Sequence, residues 1–329
     1  MIRILQIAPR SPLNTSYPPE KIKDALKIKD GLLWVDFLNE PNESCEPILI
    51  NVFGFHPLPV EDALQETHTP KVDDWDDHLY IVLDALVYDE LVGNGALHLH
   101  ELDVFLGNNY IVTHHDEPIA AIDQTWNACQ RDPRHTQNGA DHLLYRILDY
   151  LVAAYMPIVE KIDDEIDVIE DQVLSKATTE TLEHIFSLKR SLLSMRRVIT
   201  PQREVLNKLA RDDYQVIDSH DRVFFRDVYD HLVRMQDLNE SMRDMLSGTL
   251  DIYLSVVNNR MNDVMKTLTV ITTLFMPISF IAGFFGMNFF EPVAHLTSWT
   301  RVPAFIIMLL VTILTPTSMF VWMRRRRWL

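Results

Sequence analysis

From Asp141 onward apolar residues return three and four positions apart: Leu144, Ile147, Leu148 and Leu151, then Ile158, Ile162, Ile166 and Ile169. That period lays them along one face of an α-helix. The pattern predicts helices over about 141–174, 178–210 and 217–287, and at 1.5 Å per residue the last would run roughly 105 Å. Earlier in the chain the rhythm is shorter. Leu32-Leu-Trp-Val-Asp-Phe37, Leu79-Tyr-Ile-Val-Leu83, Leu97-His-Leu-His-Glu-Leu102 and Asn109-Tyr-Ile-Val-Thr113 read as strands, the last two joined by a hairpin turn at Gly107-Asn108-Asn109. The first part is therefore expected to be an α/β domain and the remainder helical.

Inside the long helix the polar face disappears. Thr267–Phe290 is 24 residues without a charge and Val302–Met323 is 22, each enough to cross a hydrocarbon core of about 30 Å. The expected fold class is an α+β membrane protein, in which a stalk helix continues into the first of two transmembrane helices. Its parts are an N-terminal α/β cytosolic domain at 1–135, a helical stalk domain at 136–265 and a transmembrane domain at 266–329. The spans run about 267–288 and 302–323, around an exterior loop at 289–301 and ahead of a basic cytosolic tail at 324–329.

One face of the first span is unlike the other. Asn262, Met265, Thr269, Thr272, Met276, Ser279, Gly283 and Gly286 recur at alternating steps of three and four, while Ile271, Leu274, Phe275, Ile278 and Phe280 are bulky. A period of 3.5 keeps small and hydroxyl-bearing residues on a common axis when parallel helices bundle, which would line a pore. Close packing of membrane helices through small residues produces the same stripe. Met265 and Met276, with Leu268, are either apolar constrictions that gate by dewetting or gap-filling methionines.

Charge orients the spans. Lys266 precedes the first and Arg324, Arg325, Arg326 and Arg327 follow the second, whereas the loop offers Arg301 against Glu291. The positive-inside bias puts both termini in the cytoplasm of a multi-pass protein of the cell (inner) membrane, with Trp299, Trp322 and Trp328 as interfacial anchors. After Val264 six basic residues face one acid, so the net −17 of the chain leaves −22 on residues 1–264. Such a body suits cations and disfavours nucleic acid. Nine glycines, with no GxGxxG or GKS/T run, argue against a nucleotide site. Cys45 and Cys129 suggest neither a disulfide framework nor a thiolate metal site.

At the outer end of the first span stands Phe285-Gly286-Met287-Asn288-Phe289. With the two spans and the basic tail, this resembles the CorA family of divalent-cation transporters, whose signature is Gly-Met-Asn at this place. The resemblance extends through Asn262-Asp-Val-Met265, Thr273-Leu-Phe-Met276-Pro277, Phe225-Arg-Asp227, Lys161-Ile-Asp-Asp-Glu-Ile-Asp167 and His56-Pro-Leu-Pro-Val-Glu-Asp62. It implies a homopentameric funnel in the lipid bilayer, five first spans around one axis, and transport of Mg²⁺ with Co²⁺ and Ni²⁺ as further cargo. Gly286, Met287 and Asn288 would form the selectivity filter. Glu61, Asp62, Asp149 and Asp227 take the positions of regulatory Mg²⁺ sites between subunits; without the resemblance each is a solvated acid. Lys266 and Arg324–Arg327 would ring the inner mouth of the pore or simply anchor the span.

Two features depart from the family pattern: Phe285 replaces the usual Tyr, and the loop from Phe290 to Leu296 lacks Met-Pro-Glu-Leu. The second leaves a Zn²⁺ transporter of the same family, ZntB-like and proton-linked, as an alternative. A membrane-tethered cytosolic enzyme or metal sensor is the alternative of another class, although no nucleophile constellation supports an enzyme. Asp163, Asp164, Glu165 and Asp167 read as a solvated acidic tip near a helix end or as a cation attractor. His98 and His100 share a strand face but bring no evident third ligand, and His114 and His115 are equally open.

Overall fold

The computed structural model describes residues 1–9, 11–28, 30–65, 68–89, 96–287 and 302–326. In chain order these form β1 (Ile2–Ile7), α1 (Ile22–Leu26), β2 (Leu32–Leu38), α2 (Asn42–Ile48), α3 (Pro57–Gln65), β3 (Lys71–Asp74), β4 (His78–Asp89), β5 (Ala96–Gly107) and β6 (Tyr110–His115). The helices α4 (Ala120–Arg131), α5 (Ala140–Ala153), α6 (Met156–Lys176), α7 (Thr179–Arg211), α8 (Arg222–Gly286) and α9 (Val302–Arg325) follow. The chain divides into two compact units, Met1–Ile252 and Tyr253–Leu329.

In the first unit the six strands form one sheet in the order β1-β2-β6-β5-β4-β3. Every pairing is antiparallel except β2 with β6, because the chain leaves β2, builds β3, β4 and β5, and returns to close beside it. Alternating strand residues point to opposite faces. One set, Leu33, Val35, Phe37, Tyr80, Val82, Phe105 and Val112, joins Ile22, Cys45, Leu49 and Val60 from the short helices in a buried cluster. The opposite face packs on α7, which runs against β3, β4 and β5, and on α5, which meets β5 and β6.

The expected strands are all present and two more, β1 and β3, lie at the sheet edges. The helix expected over 141–174 is instead two, parted at Ala154 and Tyr155. Pro157 has no N–H to give residue 153, and its ring disfavours helical geometry just before it. Tyr155 turns inward, 1% exposed, and its hydroxyl donates to the Asp84 carbonyl and pairs with Gln202. The last long helix begins at Arg222 rather than near 217, since Asp218 accepts the His220 N–H in a local turn and gives its own N–H to Asp141. The acidic group 163–167 is not at a helix end but midway along α6. Glu165 accepts from the Tyr88 hydroxyl at 2.6 Å and lies 3.4 Å from His184, while Asp163, Asp164 and Asp167 are exposed.

Two helices are long and apolar enough to cross a membrane, one within Arg222–Phe284, which begins in the first unit, and one over Phe305–Arg325 in the second. α8 is 65 residues long.

Candidate ion pathway and carboxylate clusters

All eight stripe positions from Asn262 to Gly286 are exposed in the single chain. The partly covered residues of the same stretch are Val270, Thr273, Leu274, Pro277, Ile278 and Ile281. At about 100° per residue the two sets lie on opposite sides of α8. On α9 the covered residues also keep to one face: Met308, Thr312, Thr315, Pro316, Met319 and Met323. Among the described residues the stripe is thus not the surface the chain itself covers, so packing against the described part of its own second span does not account for it.

The chemistry along the stripe is that of an acceptor surface. Thr269 donates its hydroxyl hydrogen to the Met265 carbonyl at 2.8 Å and Thr272 to that of Leu268 at 2.9 Å. A hydroxyl used this way keeps its lone pairs free to accept hydrogen bonds. Among the described residues a Cβ added at Gly283 or Gly286 would meet nothing within 4 Å, so none of them demands glycine there. Met265, Leu268, Met276 and Met287 are all more than half exposed. Lys266, Arg324, Arg325 and Arg326 are exposed too, Arg326 lying over the Trp322 ring at 5.9 Å. Asn288, the loop through Arg301 and Arg327 lie outside the described residues.

The four acids expected to sense ions fall into two groups. Glu61 and Asp62 are on α3, where Lys71 donates to Asp62 at 2.6 Å and His68 stands 3.7 Å away. Asp149 on α5 and Asp227 on α8 both act on the Tyr145 hydroxyl, whose pKa is raised by burial first and then by these two charges. Tyr145 stacks on Phe224 at 4.9 Å, which fixes the start of α8 against α5. Among the described residues no three His, Cys, Asp or Glu side chains are gathered to hold a metal.

Two buried polar groups were not foreseen. Asp36, fully buried on β2, takes Arg3 at 2.6 Å, the Thr113 hydroxyl at 2.6 Å and His115 at 3.2 Å, and Trp34 donates to Thr113 at 3.0 Å. Burial pushes the Asp36 carboxyl up, but the His115 bond, its charge and Arg3 outweigh it and hold the pKa below the usual value. Burial likewise lowers His115, and Asp36 more than restores it, so its pKa is raised. On β4 and β5 the register sets Asp84 directly opposite Glu101, while Asp103 faces His114 across β5 and β6. Burial, then the neighbouring Asp103, pushes Asp84 up to about 6 and Glu101 to about 7. The signal available was a charge at an inward position of an apolar strand, in Val35-Asp36-Phe37 and Leu102-Asp103-Val104.

Known proteins agree with this architecture over nearly its whole length. Residues 29–325 match the family described as CorA-like Mg²⁺ transporter protein. The cobalt/magnesium transport protein CorA of Thermotoga maritima is 37% identical over 287 residues, spanning 84% of this chain and 78% of that protein. The zinc transport protein ZntB of Yersinia pestis is 25% identical over 277 residues, spanning 83% of this chain and 81% of that one. The complete structure of the CorA magnesium transporter from Methanocaldococcus jannaschii superposes with a TM-score of 0.83 at 25% identity, covering 100% and 99% of the two chains. With a sheet domain, a helix that runs on into an apolar span and a second span behind it, this chain belongs to the CorA-like Mg²⁺ transporter family.

Proposed function

We propose that the protein is a homopentameric, channel-like carrier that admits hydrated Mg²⁺ across the cell (inner) membrane, with Co²⁺ and Ni²⁺ as further cargo. The observation that carries this reading is the uncovered stripe of α8, polar or small except at Met265 and Met276 and opposite the covered face. Mg²⁺ gives up water reluctantly, so its path needs acceptors at outer-sphere distance rather than a tight carboxylate cage. The free lone pairs of Thr269 and Thr272 suit that need, as do the carbonyls around Gly286 and the amide of Asn288. Met276, Met265 and Leu268 form the apolar narrowings. With both termini cytoplasmic, an inside-negative potential drives a divalent ion by about 5 kcal/mol per 100 mV, without nucleotide.

The test is Mg²⁺ influx into liposomes carrying an internal dye, repeated with cysteine at Thr272, Ser279 or Leu274. The native thiols will not confuse it: Cys45 and Cys129 are buried, and burial raises their pKa values to about 12 and about 11. A charged thiol reagent should block influx through the first two variants and spare Leu274→Cys. Block at 274 alone would overturn the pore assignment, and a silent dye would return the spans to a tether. Running Zn²⁺ beside Mg²⁺ separates the zinc-transporting reading, supported by the 25% identity to ZntB.

Asp62 of one subunit and Asp227 of the next are the proposed regulatory pair, supported by Glu61, Asp149 and the crowding of Asp149 and Asp227 around Tyr145. An ion reaching Asp62 has to compete with Lys71 at 2.6 Å. Asp227 stands on α8, the helix that carries the stripe, so an ion that draws Asp227 toward its neighbour acts directly on the pore helix. Asp62→Asn with Asp227→Asn should therefore remove inhibition by cytosolic Mg²⁺. Closure at the wild-type internal concentration would assign the sensing elsewhere.

A further inference from the structure

β5 outruns its neighbour: it pairs with β6 only over Asp103–Leu106, and its earlier half continues beyond the end of β6 with β4 alone. The notch left there is a cavity of about 380 Å³ beside the end of α3. Its lining includes His100, Glu101, Asp103, His114, Asp116 and Glu117, and contains no Lys or Arg among the described residues. Carboxylates and imidazoles without a basic partner make a cation-seeking surface.

His114 adds an independent indication. It is 4% exposed, lines the cavity, and among the described residues neither ring nitrogen has a partner within hydrogen-bond distance. A buried imidazole left this way is disfavoured unless something binds it. Its Nδ1 lies 3.7 Å from Oδ2 of Asp103, too far for a hydrogen bond. Two ligands on a tetrahedral ion with bonds of 2.0–2.1 Å stand about 3.4 Å apart, so the gap is within a few tenths of an ångström of a metal-bridged pair. The other Asp103 oxygen accepts the Tyr80 hydroxyl at 2.7 Å, which aims Oδ2 at His114 as outer partners of metal ligands do. Glu101, two residues along the same strand face, keeps one oxygen on the His68 N–H at 2.7 Å.

We propose that this notch is a metal site for a late first-row divalent ion (Co²⁺, Ni²⁺ or Zn²⁺), bridging His114 and Asp103 and drawing in Glu101 as third ligand, with water completing the shell. Mixed imidazole and carboxylate donors select such ions over Mg²⁺, which prefers oxygen alone. A small turn of Glu101 is required, since three ligands do not yet converge. The site shares no residue with Glu61, Asp62, Asp149 or Asp227 and does not rest on the transport reading.

The experiment titrates the full chain in detergent with Co²⁺ and reads its visible bands. One Co²⁺ per chain should give the intense absorption of a four- or five-coordinate ion. His114→Phe should abolish it, and Glu101→Gln should weaken binding about tenfold or more. His142→Ala, which removes an imidazole paired with Asp221 at 3.1 Å around a different cavity, should leave it unchanged. Only weak octahedral absorption in the wild type, or an unaltered spectrum in His114→Phe with native near-UV circular dichroism, overturns the proposal. If His114→Phe does not fold, Glu101→Gln decides: unchanged Co²⁺ affinity overturns it.

Discussion

Asn288→Ala should bring Mg²⁺ influx down a hundredfold or more while the protein still assembles. In the proposed pore five copies of this amide meet the ion through its water shell, and no other side chain of Gly286-Met287-Asn288 can both donate and accept hydrogen bonds. A hydrogen bond to a charged partner is worth about 1.5–3 kcal/mol, so losing two of five already amounts to about 3–6 kcal/mol, and 1.4 kcal/mol is tenfold. Alanine also leaves a wider, apolar ring that does not offset the dehydration a narrow path imposes. Gly286→Val separates axis from fold, since a Cβ at Gly286 meets nothing within 4 Å among the described residues of its own chain. That variant should retain monomer structure and lose flux. Wild-type dye signals in both variants would place the filter outside this motif.

The second large effect is on stability. Asp36→Ala should destabilise the first unit by about 3–5 kcal/mol, because it strands Arg3 and His115 after removing their shared carboxylate. Arg3 is the less dependent of the two, since it also reaches Asp123 at 2.7 Å and lies over the Trp126 ring at 5.0 Å. The pH dependence carries two opposite signs. The Asp36 pKa is lowered on folding, so its contribution is present above its ordinary 3.8 and fades as pH falls through the folded value. The His115 pKa is raised, so its contribution is complete below 6.5 and fades as pH rises through the folded value. Thermal unfolding of the full chain in detergent should therefore show the widest gap between wild type and His115→Gln from about pH 4 to 6.5, narrowing above it. A gap that grows toward alkaline pH would contradict the pair.

What could be read from the chain by itself were the features that answer to local period and to solvent. Uncharged runs at 267–290 and 302–323 announce spans whatever surrounds them, because lipid accepts no other composition at that length. The stripe from Asn262 to Gly286 is legible for the same reason: a face is a property of one helix. Gly286-Met287-Asn288, set at the end of the first span, carried the family. The break at Tyr155 was obscured because the apolar repeat continues across it from Leu151 to Ile158, masking what Pro157 does to the backbone. β3 was missed because four residues, Lys71-Val-Asp-Asp74, show little period.

Tertiary structure alone decided which distant residues meet. Sequence alternation can say that Asp84, Glu101 and Asp103 point inward, yet it cannot say that Asp84 stands opposite Glu101 or that Asp103 faces His114. Those pairings depend on the register of three strands, and a shift of one residue would send every side chain to the other face. Asp36 depends in the same way on the return of β6 beside β2, 79 residues downstream at His115. Asp62, an open acid in the sequence, is held by Lys71 because β3 lies next to α3's end. Local patterns report what each segment prefers to touch, water, lipid or core; the charges that tune a buried carboxylate come from residues distant in sequence, so they are chosen only when the chain closes on itself.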